Sequence, residues 1–531
     1  MVVEDQTEQI QFLSQSATYG PGGSRVDRID THSAVVFLVG DHAYKLKRAV
    51  RYDYLDFSTV EERRRACEAE VLVNRRTAPD LYLGVVPLTR EADRRVALGG
   101  SGTPVDWLVH MRRFDDAGLM DQLAITKRLD VSVMAQLAAE IVRLHGLAEP
   151  QPAHGGRDGM AWVVEGNARG FAEEGSGALG RAECARAVDL SRLALDRASA
   201  CLDRRQRAGL VRRCHGDLHL GNIVVIDGRP VLFDAVEFND RISCIDVLYD
   251  LAFVLMDLWR LDYRRHANEL FNAYLSGSRA YRGGSAAHRS DLEDGSSYQG
   301  LSLLPLFLSC RSAVRAKTSA TASTLQADAV HATALAGAAR KYLTAAVEFL
   351  SPPQPRLVAV SGRSGSGKST QAQRVAWAIG SSPGAVILRS DAIRKTLFGV
   401  SETSRLGPEA YNAEVSARVY AALARGAAAV LAAGHSVIVD AVFESAHERR
   451  RIAEVAAAAG SGFTGVWLEA PSALLTERVD ARRADASDAT VDVVVGQLRR
   501  DPGPIEWAVV DASGTADQVE RAVRARLGPL A

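Results

Sequence analysis

The 531-residue chain has no net formal charge, because 64 Lys and Arg offset 64 Asp and Glu. It lacks the basic excess of a protein dedicated to coating nucleic acid, so nucleic acid is not the expected partner. Cysteine is scarce and scattered. Cys67, Cys184, Cys201, Cys214, Cys244 and Cys310 include no C-x-x-C pair, which excludes a zinc knuckle and a dithiol redox motif and leaves buried thiols in a reducing compartment. Also missing is an uninterrupted apolar run of the roughly 18 residues a membrane span requires. The N-terminal MVVEDQTEQIQFLSQS is acidic and polar, where a secretory signal needs a basic start and an apolar core. A cytoplasmic protein without membrane association is expected. No repeat of 20 to 50 residues recurs, which argues against a solenoid or a propeller.

What is present is ample apolar material, 47% of residues, with 24% charged. That composition supports folded cores, and the length predicts roughly two to four domains. The clearest boundary is Ser351-Pro352-Pro353-Gln354-Pro355, where three prolines remove backbone donors and restrict φ. A first domain is therefore expected over 1–350, a linker over 351–355 and a second domain over 356–531. In the first, residues 33–50 alternate as two strands about Gly40-Asp41, and Val60 to Arg76 reads as a charged amphipathic helix. This small lobe spans about 25–112. Helical patterns dominate a second lobe, about 113–350, interrupted by loops at Glu149 to Gly159 and over a polar stretch from Ser276 to Gly300. Beyond Leu357, short β-rich segments alternate with Ala-rich helical ones, which predicts an α/β domain with a parallel sheet flanked by helices.

Gly362-Arg363-Ser364-Gly365-Ser366-Gly367-Lys368-Ser369-Thr370 follows the apolar strand LVAV and precedes a helical pattern. It satisfies G-x-x-x-x-G-K-[ST] in the required strand-loop-helix context. Gly362, Gly365 and Gly367 let backbone N–H groups wrap phosphates, Lys368 offers a cation to the β and γ oxygens, and Ser369, next to Thr370, can ligate magnesium. ATP and Mg2+ are the cofactors expected. Twenty residues on, Leu388-Arg389-Ser390-Asp391-Ala392-Ile393-Arg394 runs from a strand end into a helix, which Ser390 or Asp391 is suited to cap. The same place faces the substrate crevice of a P-loop domain, where Asp391 can orient or deprotonate an acceptor hydroxyl and Arg394 can hold an anion. The buried-strand pattern ending in Asp440 suits a second magnesium-organising position. Arg478 and Arg482, four apart on a helical segment, share one face, suited to a phosphate-clamping lid or to solvent. Together the P-loop, RSDAIRK, VIVDAVF and ERVDARR…SDAT resemble the small P-loop kinases related to gluconate kinase, zeta toxins and polynucleotide kinase. The resemblance implies that Asp391 acts on the acceptor hydroxyl and that Arg478 and Arg482 belong to a lid.

In the first domain, His215-Gly216-Asp217-Leu218-His219-Leu220-Gly221-Asn222 leads into the strand IVVI, the turn Asp227-Gly228 and the strand PVLFD ending at Asp234. The spacing of Asp217, Asn222 and Asp234 fits kinase logic: one carboxylate meets the acceptor hydroxyl, while an amide and a second carboxylate hold magnesium. A lysine for the α and β phosphates is then needed. Lys45 and Lys47 share a strand face, and Ala43-Tyr44-Lys45 resembles the A-x-K of kinase third strands, so Lys45 is chosen. Its expected partner is Glu70, with Glu68 and Glu62 as alternatives in another helical register. HGDLHLGN with its downstream FD resembles the aminoglycoside phosphotransferases more than the protein kinases, since Ala235-Val236-Glu237 follows Asp234 in place of D-F-G. That resemblance implies an α+β, protein-kinase-like bilobal domain in which Asp246 and Asp250 brace the catalytic loop.

The whole chain resembles bacterial proteins that join an aminoglycoside phosphotransferase-like domain to a P-loop ATP-binding domain. The function it implies is a bifunctional ATP-dependent phosphotransferase acting on hydroxyls of small-molecule acceptors. Two alternatives are a nucleic-acid end kinase and a nucleotide-sensing stress or regulatory protein. Residues 356–531 carry 21 basic and 19 acidic residues, too balanced to favour the end kinase. The acceptors and the oligomeric state are not encoded in any motif.

Overall fold

The computed structural model describes all residues except 1–2, 21–24, 32, 53–54, 175–177, 283–295, 327, 482–486 and 529–531. Packing divides the chain into Met1–Gly159 with Gln206–Val254, and Met160–Arg205 with Leu255–Ala531. This division passes through the helical lobe and leaves residues 351–355 inside the second unit.

The first unit is built on a six-stranded antiparallel sheet. Its strands run in the order Val26–Asp30, Ala34–Val39, His42–Lys47, Thr103–Arg112, Tyr82–Arg90, Val96–Leu98. Strand alternation sends Val35 and Phe37 to a core with Leu13, Leu46, Leu88 and Leu108. Val36 and Leu38 go to the opposite core with Cys67, Val71, Tyr82 and Met111. The second core is closed by the helix Val60–Asn74, whose N-cap Thr59 accepts the Glu62 N–H. Gly40, at φ 53°, makes the expected turn between Ala34–Val39 and His42–Lys47. The strands Ile223–Ile226 and Arg229–Leu232 form the hairpin expected about Asp227-Gly228, where both residues take positive φ, 50° and 75°. That is the geometry of a type I′ turn, which favours Asp-Gly.

In the second unit, helices Leu304–Leu325 and Ala329–Phe349 pack together as a pair. A wholly parallel sheet follows in the order Val386–Arg389, Val437–Asp440, Arg356–Gly362, Gly462–Glu469, Ala508–Asp511. Its strands Arg356–Gly362 and Val437–Asp440 are buried on both faces, as the apolar run Val358 to Val360 and its neighbours Ile438, Val466 and Leu468 require. The first strand in sequence lies at the centre, so the chain reverses direction of winding beside it. The loop after that strand therefore opens into the crevice where ligands bind in such sheets. Helix Ala413–Ala432 is long and apolar enough to cross a membrane on length and composition alone. It lies against the parallel sheet, with Val419, Leu423, Ala427, Val430 and Leu431 buried.

One sequence expectation is corrected. The polar stretch 276–300 is not a loop at its start, because helix Arg264–Arg282 continues through Ser276. The periodic burial of Leu270, Phe271, Tyr274 and Leu275 carries the helix past the point where composition turns polar.

Candidate functional sites

In the first unit, Lys45 and Lys47 point from one strand face toward helix Val60–Asn74, and both reach Glu70. Lys45 Nζ lies 2.9 Å from Glu70 Oε1 and 2.6 Å from Asp234 Oδ1. Lys47 Nζ lies 2.6 Å from Glu70 Oε2 and 2.5 Å from Glu237 Oε1. Glu70 is fully buried, and such a charge persists away from water only because two ammonium groups compensate it. Burial raises the Glu70 carboxyl, but the two lysines outweigh it and bring it down to about 2. Burial likewise pulls Lys45 down, while Asp234 and Glu70 together hold it well above its ordinary value. Of the alternatives, Glu68 pairs with Arg64 and Glu62 with Arg65 on the exposed side of the helix.

Asp234 sits at φ 60°, in the left-handed region that only a few non-glycine residues adopt. Its N–H donates to Tyr82 Oη at 3.0 Å, and the next N–H, of Ala235, donates to Asn74 Oδ1 at 2.7 Å. The HGDLHLGN loop is held from behind. Asp250, fully buried, accepts the N–H groups of His215 at 3.1 Å and Gly216 at 2.9 Å and faces His145 Nε2 at 3.1 Å. Asp246 accepts the Leu248 N–H at 2.8 Å at the start of the following helix. His215 Nε2 donates to Phe233 O at 2.9 Å, which ties the loop to the strand leading to Asp234, and burial lowers its basicity. On the open side, Asn222 Nδ2 donates to Asp217 O at 2.9 Å and Oδ2 at 3.2 Å, with His219 Nε2 3.4 Å from the same carboxylate. The structure thus brings Lys45, Glu70 and Asp234 into one network and Asp217 and Asn222 into another. Sequence reasoning missed Glu237 and the depth of Lys47. The signal was a carboxylate three residues beyond Asp234, opposite the second lysine of K-x-K.

In the second unit, Gly362 ends the central strand at φ 136°, and a Cβ there would lie 2.4 Å from Leu468 O. Gly365, at φ 85°, would place a Cβ 2.4 Å from Leu475 O. Both positions require glycine for space as well as for φ. Gly367 is the N-cap of helix Lys368–Ala376. Lys368 Nζ donates to Arg363 O at 3.0 Å, and Ser369 Oγ donates to Asp440 Oδ2 at 2.5 Å. Ser366 Oγ, buried in the same loop, has no hydrogen-bond partner among the described residues. Glycines spaced for close approach, an orphan hydroxyl and a Ser–Asp pair fit a polyphosphate with its divalent cation.

Asp391 and Arg394 line the same cavity, of about 1360 Å3, as the phosphate loop, Thr370, Asp440 and Arg478. The expected capping role is corrected. The N-cap of helix Ser390–Leu397 is Arg389, and no side chain caps it. Burial raises the Asp391 carboxyl, nearby Asp440 adds to this, and Lys368, a bond from Ser487 and Arg389 oppose it. Arg394 is buried, donates through Nη1 to Ala410 O at 2.6 Å, and leaves Nε without a partner among the described residues. Arg478 donates to Ala512 O at 2.9 Å and to Gly514 O at 3.4 Å. Arg482 lies outside the described residues. Arg389 was not foreseen. Its Nη2 donates to Ser369 Oγ at 3.2 Å and its Nε lies 3.5 Å from Asp440 Oδ2, and its only sequence signal is its place at the strand end before Ser390-Asp391.

Residues 108–286 match the model of the phosphotransferase enzyme family, and residues 357–501 match that of an AAA domain. The chain therefore joins phosphotransferase-type domains of two kinds, a kinase-like one and a P-loop one. The first match contains Asp217, Asn222 and Asp234, while Lys45 and Glu70 precede it. Uncharacterized proteins of Mycobacterium tuberculosis and Mycobacterium bovis are each 29% identical over 510 residues, 94% of either chain. Among solved structures, a choline/ethanolamine kinase family protein from Mesorhizobium loti is similar over 63% of this chain and 94% of its own, at 13% identity and a TM-score of 0.33. A gluconokinase from Sinorhizobium meliloti is similar over 33% of this chain and 91% of its own, at 24% identity and a TM-score of 0.24.

Proposed function

We propose that the protein is a bifunctional ATP-dependent phosphotransferase, each domain moving the γ-phosphoryl group of Mg-ATP to a hydroxyl of a small-molecule acceptor. The domains are taken as 1–350 and 356–531, joined by 351–355. The observation that carries the reading is the cavity of the second unit, which Lys368, the Ser369–Asp440 pair and the half-buried Asp391 line together. Its volume, about 1360 Å3, exceeds the several hundred Å3 that a single small ligand occupies, which supports two substrates side by side. The Lys45–Glu70–Asp234 network beside Asp217 and Asn222 supports the same reaction in the first domain.

At either site the acceptor oxygen forms a bond to the γ-phosphorus while the bond from that phosphorus to the β,γ-bridging oxygen breaks and ADP departs. The hydroxyl proton passes to Asp217 in one domain and to Asp391 in the other. Asn222 with Asp234, or Ser369 with Asp440, would hold magnesium, which would supply positive charge to the phosphates. Lys45, oriented by Glu70, and Lys368 with the glycines Gly362, Gly365 and Gly367 position phosphates, while Thr370, Arg394, Arg478 and Arg482 complete the second site. Six cysteines that are all buried support a reducing, cytoplasmic setting. The test is ATP consumption against sugars, amino sugars, nucleosides and RNA ends, comparing the protein with Asp217→Ala, Lys368→Ala and the double variant. Acceptor-dependent turnover that each single substitution removes for its own domain is the expected result. Turnover on RNA ends alone, or none on any acceptor, overturns the reading.

A further inference from the structure

The strand Val386–Arg389 is the outermost of the parallel sheet, so one side of its backbone faces no strand. Such an edge leaves N–H and C=O groups that need partners when covered. Here the partners are side chains of helix Arg264–Arg282. Asn272 Oδ1 accepts the N–H of Ile387 at 2.8 Å, and its Nδ2 donates to Ala385 O at 3.1 Å. A residue on a parallel neighbour strand would take the same two groups on either side of Val386, so the Asn272 carboxamide stands where a neighbouring peptide would.

One helical turn earlier, Asn268 Nδ2 donates to Pro383 O at 3.0 Å and Ala385 O at 3.1 Å. Asn272 Nδ2 also donates to the backbone oxygen of Asn268 at 3.1 Å, an acceptor that does not depend on the Asn268 side chain. Between them Phe271 packs edge-on to the ring of His435, 5.6 Å between centroids, and His435 Nε2 donates to Gly384 O at 2.8 Å. The approach is close. A Cβ on Gly384, already at φ 97°, would lie 2.7 Å from Asn268 Nδ2.

The helix lies within the segment matching the phosphotransferase family and the strand within the segment matching the AAA domain. The strand ends at Arg389, which bonds Ser369 and faces Asp440, and leads directly to Asp391. We propose that helix Arg264–Arg282 completes the P-loop sheet and that Asn272 is a positioning residue for Arg389 and Asp391. The P-loop site is then built in part by the chain's other domain. The consequence for activity rests on the phosphotransferase reading above; the clamp itself does not.

The experiment uses the full-length protein and its Asn272→Ala and Asn268→Ala variants. Three quantities are measured: hydrogen exchange of the Ile387 amide, thermal stability, and the slow ATP hydrolysis that Lys368→Ala removes. Losing the Asn272 bond should speed Ile387 exchange roughly tenfold and lower kcat roughly tenfold, with KM for ATP within about twofold. Asn268→Ala breaks bonds to the preceding loop, and should lower stability by a similar amount while leaving kcat unchanged. Equal kcat in both variants, despite faster exchange in Asn272→Ala, overturns the positioning role. Unchanged Ile387 exchange overturns the clamp. Absence of any Lys368-dependent hydrolysis in the unmodified protein counts against the phosphotransferase reading, and the exchange measurement still decides the clamp.

Discussion

At the scale of single residues, Glu70 is the charge on which the first site turns, since two lysines depend on one carboxylate. Its folded pKa, about 2, lies below the ordinary 4.5. A depressed carboxyl contributes stability that is fully present above the unfolded value and is lost as pH falls through the folded one. Glu70→Gln should therefore cost about 3 kcal/mol near neutrality, by leaving the buried Lys47 and the half-buried Lys45 ammonium groups undercompensated. The difference from the unmodified protein should be flat above about pH 5 and shrink toward pH 2, which denaturant unfolding across that range will read. Asp391 is displaced the other way, by burial first and Asp440 second. In its proposed role as acceptor base it works ionised, so Lys368-dependent turnover should fall on acidification with a midpoint above the ordinary carboxylate value of 3.8. Arg389→Ala removes an opposing cation and should move that midpoint further up. Asp391→Asn should lower kcat by roughly a hundredfold or more.

At the scale of elements, the phosphate loop ties geometry to composition most tightly. Gly365→Ala adds a Cβ at φ 85° that meets the Leu475 carbonyl at 2.4 Å, so the loop must shift away from helix Ser472–Asp480. Nucleotide affinity at this site should drop more than tenfold in a titration with a non-hydrolysable ATP analogue, while hydrolysis dependent on Asp217 is retained. Elements of this kind were legible in the sequence because their chemistry is local. The P-loop, the Asp227-Gly228 hairpin, the Gly40 turn and the helix from Val60 are each set by residues within a few positions of one another. The pairing of Lys45 with Glu70 was legible too, because strand and helix periodicity put both on inward faces. What could not be read depends on contacts distant in sequence. Arg389 bonds a serine twenty positions back, Glu237 reaches Lys47 across 190 positions, and Asn272 meets an edge strand over 110 residues later. Arg264–Arg282 was cut short in the sequence reading because Ser276 and Gly277 mark loops by composition, yet the buried face of the helix outweighs their weak propensity.

At the scale of the whole molecule, the two nucleotide sites proposed for one chain make a prediction that neither domain makes alone. Calorimetric titration with a non-hydrolysable ATP analogue and magnesium should give two equivalents per chain. Lys368→Ala and Lys45→Met should each leave one, and the double variant none. Binding to the folded state alone adds stability of about 2.7 kcal/mol per site at a hundredfold excess over Kd, so each single variant should lose part of the nucleotide-induced rise in melting temperature. The sites differ in which packing unit they stabilise. The Lys45 site lies within Met1–Gly159 with Gln206–Val254, whereas the P-loop lies in the unit that also contains helix Arg264–Arg282. Nucleotide at Lys368 should therefore slow amide exchange in that helix, beyond the proline-rich segment, and should do so less once Asn272 is alanine. Protection that stopped at residue 356 would mean that the P-loop domain answers its ligand independently of the helices that cover its edge.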